Sequence, residues 1–150
     1  MTKEEKNVFS LRIANSSKTE LIVITYDIIV NYVDAAIHAY SVEDLDLVVF
    51  NLQKAKQFLN NLSSCLNFEF GISYELMNLY IYLNNCLVRD ITKRKPESAD
   101  TIKSVIDKLR ASFDTISVND TSGRVMKNSE RVYVGYTYGR TSTLNEVVVR

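Results

Sequence analysis

His38 is the one side chain in this sequence whose ordinary pKa lies near neutrality, so acid–base or phosphoryl-transfer chemistry would start there. An exposed imidazole on a helix can accept a phosphoryl group. Its neighbours Ile37, Ala39 and Tyr40 supply no lysine to hold phosphate oxygens and no glycine to allow close approach, so a solvated surface histidine is the favoured reading. Cys65 and Cys86 both fall near apolar positions and are expected in the core as reduced thiols. One histidine and two cysteines are too few ligands for a zinc site built from His and Cys. Helix-borne Glu-x-x-His pairs, which build di-iron sites in bundles, are missing, and so is a glycine-rich phosphate loop. The sequence therefore predicts no catalytic residue, no metal and no cofactor.

Composition narrows the class further. Eighteen basic and eighteen acidic residues cancel, which argues against a general nucleic-acid binder needing a basic face. A length of 150 residues suits one domain with a tail. One proline, four glycines and 46% apolar content favour long uninterrupted helices over a turn-rich β fold. Met1 to Lys6 leads into no apolar signal-like run, and the apolar stretch from Leu21 to Ile37 is broken by Asp27, Asn31 and Asp34. The expected location is cytoplasmic, without membrane insertion.

The elements follow in order. Residues 1–16 are polar at first, then carry Val8, Phe9, Leu11 and Ile13, and read as an irregular N-terminal arm with something to bury. Ser17-Lys18-Thr19-Glu20 fits a capping box that opens a helix running to about Ala39. Asp27, Asn31, Asp34 and His38 form one polar stripe on it, read as facing solvent. Ser41-Val42-Glu43-Asp44 offers a cap for a second helix, marked by Leu45, Val48, Leu52, Ala55, Leu59 and Leu62 and ending near Cys65. A third runs from about Ser73 to Lys93, with Gly71 as a stop before it, and a fourth from about Glu97 to Ile116 after Pro96. Short turns between such helices predict an all-α, antiparallel up-down four-helix bundle over residues 17–116. Residues 117–150 form an extended tail, whose alternation Val132-Tyr133-Val134-Gly135-Tyr136-Thr137-Tyr138 is that of a strand.

The apolar content exceeds what one inward stripe per helix can hide. Helix one packs ten apolar residues between Leu21 and Val33, and helix three packs Leu76, Met77, Leu79, Tyr80, Ile81, Tyr82 and Leu83 together. Either the arm and tail cover the extra faces, or a groove is left for a partner segment, or the arm covers the groove until a partner displaces it.

At this point two stretches become specific. Ile13-Ala14-Asn15-Ser16-Ser17-Lys18-Thr19-Glu20-Leu21-Ile22-Val23-Ile24-Thr25-Tyr26-Asp27 resembles the opening of the flagellar export chaperone FliS family, where a short arm meets a capped first helix carrying a Thr/Glu-Leu-Ile/Val…Leu-Tyr-Asp pattern. Leu66-Asn67-Phe68-Glu69, followed by Leu76, Leu79-Tyr80 and Tyr82, resembles that family's second signature. The likeness covers about residues 8–116, with Phe70-Gly71-Ile72, Ile81 and Ile28 departing from the usual pattern.

The resemblance implies a chaperone without ATP that binds the disordered C-terminal segment of flagellin, prevents its premature polymerisation and assists its delivery to the type III export gate. Burial of the segment's apolar stripe gains roughly 25 cal/mol per Å², against an ordering cost of about 2–5 kcal/mol or more. Expected contacts are Phe9 and Ile13 in the arm, Leu21, Ile24, Thr25 and Tyr26 on helix one, and Leu66, Asn67, Phe68, Leu76 and Tyr80 in the second signature. Asp27 is either a hydrogen-bond partner for the bound backbone or a plain solvated residue, and Asn67 also suits a loop cap. A regulatory adaptor binding a flagellar anti-sigma factor or translation regulator is the competing reading. The tail either folds back over the bundle or pairs with a second copy in a homodimer.

Overall fold

The computed structural model describes residues 1–125 and contains α1 (Lys3–Asn15), α2 (Lys18–Ser41), α3 (Leu45–Ser64), α4 (Ile72–Lys93) and α5 (Ala99–Ser117). The fold is all-α, and no strand occurs among the described residues. The alternating segment 132–138 lies outside them. Among the described residues, contacts divide the chain into two compact units, one of Met1–Ile24 with residues 111–125, the other of Thr25–Arg110.

In the first unit, the expected irregular arm is a helix. Thr2 caps α1: its hydroxyl accepts the Glu5 N–H, and the Glu5 carboxylate accepts the Thr2 N–H at 2.6 Å. This capping box satisfies two of the free donors at the helix start, which is what lets a weakly amphipathic stretch hold helical form. Only Ala14 of α1 is fully buried, while Phe9 and Ile13 are half-buried and Val8 and Leu11 exposed. The second capping box stands where the sequence places it, with Ser17 N–H donating to Glu20 and Glu20 N–H donating to the Ser17 hydroxyl.

The second unit holds a core of fully buried Tyr26, Ile29, Leu52, Leu59, Leu83, Leu87, Ile102 and Ile106, contributed by α2, α3, α4 and α5. By length and composition α2 could cross a membrane, but Val23, Ile24, Tyr26, Ile28, Ile29, Tyr32, Val33, Ala36 and Ala39 are buried inside the protein. Arg110 pairs with Asp27, and Lys103 with Asp34 at 2.6 Å. Seven residues separate the two partners on each helix, and their order is opposite, so α2 and α5 run antiparallel. The polar stripe of α2 is therefore not simply solvated: Asp27 and Asn31 are half-buried, and the two aspartates meet bases on α5. Arg94, at the end of α4, pairs with Asp46 in the first turn of α3, which makes that pair antiparallel as well.

The helix junctions show why the chain turns where it does. Glu43 and Arg94 both adopt left-handed backbone, with φ of 60° and 54°. At each, two N–H groups reach back to close the preceding helix: Glu43 to Tyr40 and Asp44 to Ala39, then Arg94 to Ile91 and Lys95 to Asp90. These are the two bonds of a Schellman termination, made without its usual glycine. The cap of α3 is Asp44, which accepts from Leu47 N–H, while Ser41 ends α2. Gly71 precedes α4 in ordinary right-handed backbone, so no glycine-specific conformation is used there.

Candidate functional site

The sequence-predicted contact residues separate by burial. In the first unit, Phe9, Ile13 and Leu21 are half-buried and Ile24 is buried. In the second, Tyr26, Leu76 and Tyr80 are buried, Thr25, Asp27 and Leu66 are half-buried, and Asn67 and Phe68 are exposed. Two of them meet directly: the Tyr26 and Tyr80 hydroxyls are 2.6 Å apart. Burial raises both phenols above their ordinary pKa, Tyr26 strongly, so both are neutral donors and acceptors at physiological pH.

Asn67 works within its own loop. Its side-chain oxygen accepts the Glu69 N–H at 3.0 Å, and its backbone carbonyl accepts the Ser73 hydroxyl at 2.6 Å. This holds the turn between α3 and α4, whose apolar residues point outward: Phe70, Ile72 and Tyr74 are each at least 60% exposed. Phe68 packs against Tyr74, ring centre to ring centre at 5.1 Å.

The outward apolar surface continues along α4. Tyr74, Ile81 and Val88 recur every seven residues, hence on one side of the helix, with exposed Asn78 and Asn85 spaced between them. Tyr82 lies beside this stripe, while Leu79, also partly exposed, lies on another side of the helix near buried Leu83. On α3, Leu47 and Phe50 are also exposed, with the Lys54 ammonium 5.7 Å from the Phe50 ring centre. The oily surplus is thus distributed unevenly. Helix α2 hides most of its excess, while α4 displays its own.

Polar chemistry is thin. His38 is exposed on the last turn of α2. Cys86 is buried as expected, but Cys65 is exposed, because it ends α3 as a C-cap instead of continuing the helix into the core. Among the described residues no group of three His, Cys, Asp or Glu side chains gathers as a metal site. A cleft of about 340 Å³ in the first unit has buried Val23 and Ile24 among its lining, with Arg12, Glu20 and Asp114 around them. Its charges are mixed in sign, and it holds no nucleophile paired with a base.

Among the described residues, the chain is a helical scaffold that turns a set of apolar side chains outward. No curated protein matches the sequence. The sequence model of the family described as Flagellar protein FliS matches residues 1–120, so the chain belongs to the FliS family. Membership implies a flagellar chaperone role, in a family of chaperones and not of enzymes.

Proposed function

We propose that this protein is a cytoplasmic, ATP-independent chaperone for the disordered C-terminal segment of flagellin. It prevents premature polymerisation and hands its client to the type III flagellar export gate. In this reading α2, α3, α4 and α5 form an antiparallel up-down four-helix bundle, and the client lies against its outside.

The observation that carries the reading is the exposed stripe of Tyr74, Ile81 and Val88 on α4, joined by Tyr82 and the Phe68–Phe70–Ile72 turn. Exposed apolar side chains grouped on one helix face mark an interaction surface, whereas isolated ones do not. An amphipathic client segment lays its apolar side on such a face by helix-in-groove recognition. Asn78 and Asn85 supply amides for the client's polar atoms. Among the signature residues of the second unit, half-buried Thr25, Asp27 and Leu66 and exposed Asn67 and Phe68 can touch the client. Buried Tyr26, Leu76 and Tyr80 act by holding the helices that carry the surface.

The test is titration of a flagellin C-terminal peptide into the purified protein, followed by calorimetry. Sub-micromolar binding is expected, with a loss of tenfold or more in a Tyr74→Ser, Ile81→Ser, Val88→Ser triple variant whose thermal melt is unchanged. No binding by the natural protein overturns the reading. Wild-type affinity in the triple variant overturns the surface.

A further inference from the structure

We propose that residues 118–125 form a strap that locks the elbow between α1 and α2, so that release of the strap, and not melting of α1 itself, frees the N-terminal helix. The inference stands apart from the client reading, since it concerns only the first unit.

The geometry is built from both sides. Helix α5 ends at Ser117, and the chain turns at once, with Asn119 N–H donating to Ile116 and Asp120 N–H to Ser117. The Asp120 carboxylate then reaches across 101 positions of sequence to the first turn of α2. One of its oxygens accepts the Thr19 hydroxyl at 2.7 Å and the Thr19 N–H at 3.3 Å. The other accepts the Ser122 N–H at 2.9 Å, which fixes the carboxylate's orientation. An N–H in the first turn has no partner inside its own helix, and a negative charge there is favoured by the helix dipole. Asp120 therefore completes a cap that Ser17 and Glu20 begin.

The strap's second hold lies on the elbow itself. Ser16 sits in extended backbone, so its carbonyl leaves the helical direction and accepts the Val125 N–H at 2.9 Å. Between the two holds, Gly123 takes a φ of +77°, a conformation that side chains resist, and lets so short a segment engage both Thr19 and Ser16. Within α1 itself Ala14 is the only fully buried residue, and Phe9 and Ile13 are half-buried. The elbow contacts are thus the natural point of control over α1.

Hydrogen exchange on the full chain tests this, comparing the natural protein with Asp120→Ala, Val125→Pro and Thr19→Val. Asp120→Ala and Val125→Pro should each speed exchange of α1 and elbow amides by tenfold or more, with α3 and α4 amides unchanged. Thr19→Val combined with Asp120→Ala should exchange no faster than Asp120→Ala alone. Three results overturn the proposal: unchanged α1 exchange in both strap variants, an equal rise across α3 and α4, or α1 amides already unprotected in the natural chain.

Discussion

Tyr26 on α2 and Tyr80 on α4 share one hydrogen bond of 2.6 Å between otherwise buried hydroxyls. Both belong to the stretches through which the sequence resembles the FliS family. A hydroxyl buried without its partner costs about 1–3 kcal/mol, whereas replacing both partners by apolar groups of the same shape is close to neutral. Tyr26→Phe should therefore destabilise the protein by about 1–3 kcal/mol, and adding Tyr80→Phe should recover part of that loss. Urea denaturation of the two single variants and the double variant measures the coupling. Strict additivity would show that the pair contributes nothing as a pair.

The same two residues predict how the fold responds to alkali. Burial holds both phenols above their ordinary value, and the hydroxyl of Tyr80 raises Tyr26 further. In the unfolded chain they ionise near pH 10. A group whose folded pKa is raised contributes fully below its unfolded pKa and loses that contribution as pH climbs toward the folded value. Stability should be flat in this respect up to about pH 10 and then fall, with a slope for Tyr26 that approaches about 1.4 kcal/mol per pH unit once the unfolded tyrosine is ionised, and a further loss from Tyr80. Denaturation midpoints measured from pH 9 to 11 should fall more gently in the Tyr26→Phe, Tyr80→Phe double variant.

Much of this architecture is legible in the residues, and the exceptions share a cause. Apolar spacing and the Ser17–Glu20 box place α2 to α5 within a few residues of their observed ends. The Thr2–Glu5 box was equally visible, but Val8, Phe9, Leu11 and Ile13 do not fall on one helical face, so periodicity masked α1. The Asp27 and Asp34 stripe looked solvated because its partners, Arg110 and Lys103, lie on a distant helix whose register no local pattern encodes. For the binding surface the difficulty is excess. Where apolar residues fill most of a helix, as at Leu79 to Leu83, periodicity cannot choose which of them turns inward; Tyr80 and Leu83 do, and Ile81 and Tyr82 do not.

The left-handed residue between α2 and α3 offers a stabilising change. Glu43 holds φ at 60° to complete the Schellman bonds, and its Cβ makes that conformation costly. Glycine removes the clash and adds some freedom to the unfolded chain, so Glu43→Gly should gain about 0.5–1 kcal/mol. Glu43→Ala keeps the Cβ and should show no such gain. Thermal melts of both variants distinguish release of backbone strain from loss of a surface charge.

Asp90 is the buried acid of the second unit, and its position explains why α5 starts where it does. One carboxylate oxygen accepts the Ser98 N–H and the other the Ser98 hydroxyl, each at 2.9 Å. Arg89 donates to the same hydroxyl at 3.3 Å, so the charge sits in a short polar network at the α4–α5 turn. Hydrogen bonds to a charged group contribute about 1.5–3 kcal/mol, more than neutral ones. Asp90→Ala removes both acceptors and should cost about 1.5–3 kcal/mol. Ser98→Ala loses only the hydroxyl bond, keeps the N–H bond and should cost about 1 kcal/mol. Chemical denaturation should rank the variants in that order, with faster hydrogen exchange at the start of α5 in Asp90→Ala. A loss below about 0.5 kcal/mol in Asp90→Ala would place the carboxylate among ordinary surface changes and remove it as the cap of the turn.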